Sequence, residues 1–204
     1  MLETIMRKTT TTLALGIVLL IPGCFPISLH PLYTDSDLVF DAGLVNAWRG
    51  QDETWNFSKA GDKEYRLLYT DKEGKTGHFE VRQLRLGGTK FLDFFPTEKG
   101  GAATSMCETV QYHLIPTHSF AKVSRTDTNL ALSFLSLDWL GKLLEKDPQA
   151  IRHERIGTTN DQTILLTAPT GELQRFVLKY LEDQDAFLQP INLKRQQPEP
   201  KKEG

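Results

Sequence analysis

Alternation of apolar and polar residues with period two, between residues 54 and 96, constrains this 204-residue chain more than any other feature. Trp55 and Phe57 alternate with polar neighbours in TWNF, and Tyr65, Leu67 and Tyr69 do the same in EYRLLYT. Alternation of this kind puts every second side chain on one face of an extended strand, so each run reads as a strand with one buried face. The polar stretch Thr70–Thr76, which contains Gly74, joins EYRLLYT to GHFEVRQLRL as a hairpin loop. In the second of these runs Phe79 and Val81 share one phase while Leu84 and Leu86 share the other, so a bulge or bend is expected near Arg82 and Gln83. Gly87–Gly88 turns the chain into TKFLDFF, and Val110, Tyr112 and Leu114 alternate again before Pro116. Further runs at Ser119–Arg125 and Asn129–Leu135 bring the total to about seven short strands, the pattern of a meander.

Helical periodicity appears only later. SLDWLGKLLEKDP places Trp139, Leu140, Leu143 and Leu144 at helical spacing, with Asp138 expected as N-cap and Pro148 as the stop. After a short strand at TILLTA, Thr170 is the expected cap of a second helix whose Leu173, Phe176, Val177, Tyr180 and Leu181 form an amphipathic stripe. The fold class is therefore α+β: mainly an antiparallel β-meander forming a strongly curved sheet or barrel, with two helices in the C-terminal half.

The first residues differ from this body. Arg7 and Lys8 precede the polar run Thr9–Thr12 and the uncharged run Leu13–Ile21, the order of a secretory signal peptide. As a helix, Leu13–Gly23 would rise only about 16 Å, roughly half of a ~30 Å hydrocarbon core. The run ends in Ile21-Pro22-Gly23-Cys24, which resembles the lipobox of bacterial lipoproteins. That resemblance implies cleavage before Cys24, diacylglycerol on its thiol and an acyl chain, such as palmitate, on the new N-terminus. The expected organisation is a signal peptide over 1–23, a lipidated N-terminus and extended tether over 24–43, a β-rich globular domain with C-terminal helices over 44–195, and a disordered tail over 196–204. Location in a bacterial cell envelope follows, and Phe25, which is not the Asp of an inner-membrane retention signal, permits the outer membrane. Lipidation leaves Cys107 unpaired, most simply as a buried small hydrophobe.

Gly43-Leu44-Val45-Asn46-Ala47-Trp48 at the start of the meander resembles the Gly-x-Trp of lipocalin and calycin barrels, at a longer spacing. The segments LVNAW, FLDFFP and LLTAPTGELQRFVLKY resemble a set of uncharacterised bacterial lipoproteins that share the lipobox and a tryptophan-started meander. That resemblance implies anchoring and no activity.

Little in the chain calls for chemistry. A net charge of −2 offers no basic excess for nucleic acid. His113 and His118 flank Pro116 without further ligands at metal spacing, and there is no Gly-x-Ser-x-Gly, Ser-x-x-Lys or phosphate loop. Asp93, between Leu92 and Phe94, is expected to face outward. No cofactor, metal or catalytic residue is assigned. The aromatic set Trp48, Trp55, Phe57, Tyr65, Tyr69, Phe79, Phe91 and Phe94 admits two readings, a filled core or the pocket of an apolar ligand. The chain thus reads as a membrane-anchored, non-enzymatic envelope lipoprotein that acts as an interaction or assembly module with an envelope protein partner. The alternative is a lipocalin-like binder of a lipid or other apolar small molecule.

Overall fold

A computed structural model describes residues 25–97, 114–158 and 161–197. The signal peptide, Cys24, Cys107, His113 and the strand expected at Val110–Tyr112 lie outside these residues. Seven strands run in sequence as an antiparallel meander: β3 (Ala47–Arg49), β4 (Thr54–Gly61), β5 (Glu64–Thr70), β6 (Thr76–Leu86), β7 (Thr89–Pro96), β8 (Ser119–Arg125) and β9 (Asn129–Phe134). The last strand, β12 (Ile191–Arg195), fits between β9 and β3 and closes an eight-stranded antiparallel barrel. Closure removes the unpaired edges that an open sheet would present.

Between β9 and β12 the chain leaves the barrel. Helix α1 (Leu137–Lys146), strands β10 (His153–Thr158) and β11 (Asp161–Leu166), and helix α2 (Thr170–Lys179) form a layer against its outside. Ser136, not Asp138, caps α1, its side chain accepting from the Trp139 N–H. Thr170 does not cap α2; its hydroxyl donates to the Pro31 carbonyl at 2.9 Å instead.

The segment expected as a tether is part of the body. β1 (Ile27–Ser28) runs parallel to β11, and β2 (Leu38–Val39) pairs with β6 beyond the point where β5 ends. Leu32 is fully buried, and Gln174 of α2 donates to its carbonyl. The apolar residues in this segment give it enough burial to offset the entropy of ordering it.

Two apolar clusters result. One fills the barrel with inward residues such as Trp48, Phe57, Tyr65, Leu67, Val81, Leu92, Leu132 and Leu193. The other lies between the barrel wall and the helices and includes Leu84, Leu86, Phe91, Leu140, Ile164 and Phe176. This division explains the phase change in β6 without a bulge. Its register with β7 is unbroken from Phe79↔Pro96 to Leu86↔Thr89. Val81 points into the barrel while Leu84 and Leu86 point out beneath the helices, so both faces are buried. The β6–β7 hairpin turns on Gly87 and Gly88 at φ 55° and 85°, the pair of positive angles that a tight two-residue turn needs.

Candidate functional site

Because the barrel strands alternate in direction, their connections alternate between two ends. The β4–β5, β6–β7 and β8–β9 turns share one end with the 3-10 turn Ala42–Leu44. Asp41 caps that turn through the Gly43 N–H and accepts from Arg125 at 3.0 Å, with Lys90 at 3.5 Å. Burial pushes the Asp41 carboxyl up, but these partners outweigh it and hold it below the ordinary carboxylate value. Tyr65, pushed up to about 12 by burial, stays neutral and accepts the Asp41 N–H at 2.6 Å. A Cβ at Gly43 would fall on the Arg125 guanidinium, so a side chain there requires Arg125 to move from its place on Asp41. This end is shut.

The opposite end carries the β3–β4, β5–β6 and β7–β8 connections. Here rings touch in a chain: Phe25 stacks on Phe134 at 4.6 Å, Phe134 meets Phe94 at 5.7 Å, Phe94 meets Trp55 at 5.9 Å, and Trp55 meets Tyr69 at 5.0 Å. Phe25 therefore stops this mouth of the barrel. Between the two ends Trp48, Tyr65, Leu67, Val81, Leu92, Leu130, Leu132 and Leu193 are 0% exposed. Side chains at zero exposure touch no space wide enough for a water molecule, so the middle of the barrel is packed solid by its own residues.

Of the eight aromatic residues singled out from the sequence, Trp48, Trp55, Phe57, Tyr65 and Phe94 are buried inside the barrel, and Tyr69 and Phe79 pack against them half-buried. Phe91 does not join them. It lies on the outer face of β7 with Phe187 at 6.3 Å, because that strand is buried on both sides. Trp55 Nε1 is buried without a hydrogen-bond partner among the described residues.

A polar cleft of about 210 Å³ opens on the outside of the barrel, lined by Tyr33, Glu80, Arg82, Asp93, Phe95 and His118. Asp93 is at its base and is 1% exposed, not outward in solvent, because the segment preceding β2 covers that face of β7. Its two oxygens have separate partners: Oδ1 lies 2.6 Å from His118 Nδ1, and Oδ2 accepts the Leu32 N–H at 2.8 Å. Burial pushes the Asp93 carboxyl up, and His118 and the Leu32 N–H pull it part of the way back. His118 also exchanges two backbone hydrogen bonds with Ser28, each 2.8 Å, and its ring packs on Phe95 at 4.6 Å. An Asp–His pair orients an imidazole for proton transfer in many enzymes. Here no serine or threonine side chain among the described residues hydrogen-bonds His118, and what the pair visibly does is fasten residues 28–32 to the barrel wall.

The other described histidines, His30, His78 and His153, do not line this cleft. His30 is exposed and His153 directs Nδ1 to the Ile151 carbonyl at 2.9 Å. Among the described residues no group of three or more His, Cys, Asp or Glu side chains is placed to hold a metal. A second groove of about 300 Å³ lies between α1 and the β10–β11 pair, with Lys142, Glu145, Arg155 and Gln162 on its walls.

The sequence missed the Asp93–His118 pair. The available signal was the charge inside FLDFF: a strand apolar on both faces has no wet side, so a carboxylate there needs a buried partner. Compared with protein-family models, curated proteins and solved structures, the chain matches none.

Proposed function

We propose that this chain is a bacterial envelope lipoprotein, anchored through acylated Cys24, whose barrel is a rigid, non-catalytic module for interaction or assembly with another envelope protein. The observation that carries the module reading is the solid barrel interior, which leaves its binding capacity on the outer surface. The anchor reading is supported by the basic, apolar and Gly-Cys order of the leader. No helix among the described residues is long and apolar enough to cross a membrane. One experiment tests the anchor. Full-length protein expressed in bacteria fed labelled palmitate should take up label and partition into detergent, and Cys24→Ala should lose both; unchanged partitioning of the variant would reject the reading.

The second reading, a lipocalin-like binder, is compatible with the closed barrel and is favoured by Trp55 Nε1, buried near the Phe25 mouth without a partner among the described residues. Native mass spectrometry of the full-length protein separates the two. A reproducible added mass beyond the anchor, lost on denaturation, supports a binder, and its absence supports the module.

A further inference from the structure

We infer that the barrel stands directly on the lipid bilayer, without a spacer, with its β3–β4 and β5–β6 connections and residues 114–117 toward the lipid and its Asp41–Arg125 end away from it. The inference rests on the acylation of Cys24 proposed above and adds an orientation to it.

Very little chain separates the anchor from the body. Phe25 follows Cys24 immediately and is stacked on Phe134 in one mouth of the barrel. One residue advances the chain by only about 3.8 Å, so a lipid on Cys24 starts at that mouth. The next residues give no slack. Pro26 is buried, Ile27 and Ser28 pair with β11, Ser28 exchanges hydrogen bonds with His118, and Leu32 is held by Asp93.

The same end carries the most exposed large apolar side chains among the described residues. Ile115 is 72% exposed and Leu114 53%, adjacent residues where the chain enters β8 at that end, while the other exposed large apolar side chains, Leu178 at 41% beside the Gly87 turn and Leu29 and Ile156 at 37%, stand singly. Neighbouring exposed Leu and Ile side chains are costly in water and find a natural environment at the acyl boundary of a bilayer. The anchor and the apolar residues thus come from different parts of the sequence and meet at one end of the barrel. The far turns stand well clear. An eight-residue strand such as β4 is about 26 Å long, and the ~40° tilt of barrel strands leaves about 20 Å between the ends.

Fluorescence quenching tests the orientation. Full-length protein processed in a bacterial host, with Cys107→Ser and a thiol-reactive fluorophore at either Ile115→Cys or Asp127→Cys, is reconstituted on phosphatidylethanolamine–phosphatidylglycerol vesicles containing nitroxide-labelled lipid. Asp127, in the β8–β9 turn, is fully exposed at the opposite end. The label at 115 should be quenched several-fold more than that at 127. Equal or reversed quenching on protein that floats with the vesicles overturns the orientation alone and points to a protein partner for Leu114 and Ile115. Failure to float overturns the anchor, and the orientation with it. Hydrogen exchange on the unsubstituted protein gives an independent check: vesicles should protect residues 71–75 and 114–117 and leave 87–88 and 126–128 unchanged, and the opposite pattern would reject the proposal.

Discussion

Leu67→Ala measures whether the barrel is as full as its zero exposures indicate. Leu67 sits in mid-strand with Phe57 and Phe79 as its cross-strand neighbours, and it is 0% exposed. The substitution removes three carbon atoms, worth about 2.4 kcal/mol at ~0.8 kcal/mol each. A closed barrel cannot collapse freely around the gap, so a cavity penalty is added, and the loss should reach about 3–4 kcal/mol, inside the ~2–5 kcal/mol usual for a buried Leu→Ala change. With a urea m-value of about 1–3 kcal/mol/M, the unfolding midpoint should fall by about 1–4 M at unchanged m. A loss below about 1 kcal/mol with m unchanged would refute the reasoning, because a side chain that already borders empty space forfeits few contacts when shortened.

Three further outcomes follow from the polar groups. Asp93→Ala leaves the Leu32 N–H buried without its acceptor, a cost of about 1–3 kcal/mol, and should accelerate exchange of the Leu32 amide before that of the barrel strands. Asp41 is held below its ordinary pKa, so its pairing contributes stability above the unfolded value of ~3.9 and loses it as pH falls through the folded value. Thermal unfolding should therefore move to lower temperature on acidification through that range, and Asp41→Asn should flatten the dependence. Gly43→Ala pushes a Cβ into the Arg125 guanidinium and should cost about 1 kcal/mol or more while weakening the same acid dependence; an unchanged melting temperature would show that Arg125 has another place to go.

What was legible in the sequence follows from what each strand buries. β4 and β5 alternate cleanly because one face fills the barrel and the other meets solvent, so TWNF and EYRLLYT announced themselves. β6 and β7 are covered on both sides where the helices pack, and a change of covered face in β6 looked like a bulge. The closing strand β12 escaped notice because only Leu193 of INLKR is buried. β10 left no signal because HERIGT is an edge strand whose exposed side chains carry no alternation. The helices were legible from their stripes, but not their first turns: Ser136 caps α1 in place of Asp138, and Thr170 turns its hydroxyl to the Pro31 carbonyl, a partner 139 residues away. Local pattern put most of the aromatic set on inward positions, yet it could not show whether they meet across the barrel. FLDFF carried a signal that Asp93 is buried, but not the identity of its partner, because His118 lies 25 positions away and local pattern does not align the two.

The position of β12 also has a kinetic consequence. Lys194 pairs with Arg49, a separation of roughly 145 residues, and the whole α1–β10–β11–α2 excursion must be made before that pairing can form. Contacts so distant in sequence slow folding, because loop closure comes before any reward for it. Until Ile191–Arg195 arrives, β3 and β9 are two open edges of an incomplete sheet. A chain emerging N-terminus first therefore passes most of its synthesis with sticky edges uncovered, and it is the last few residues of the domain that end its exposure to mispairing with other chains.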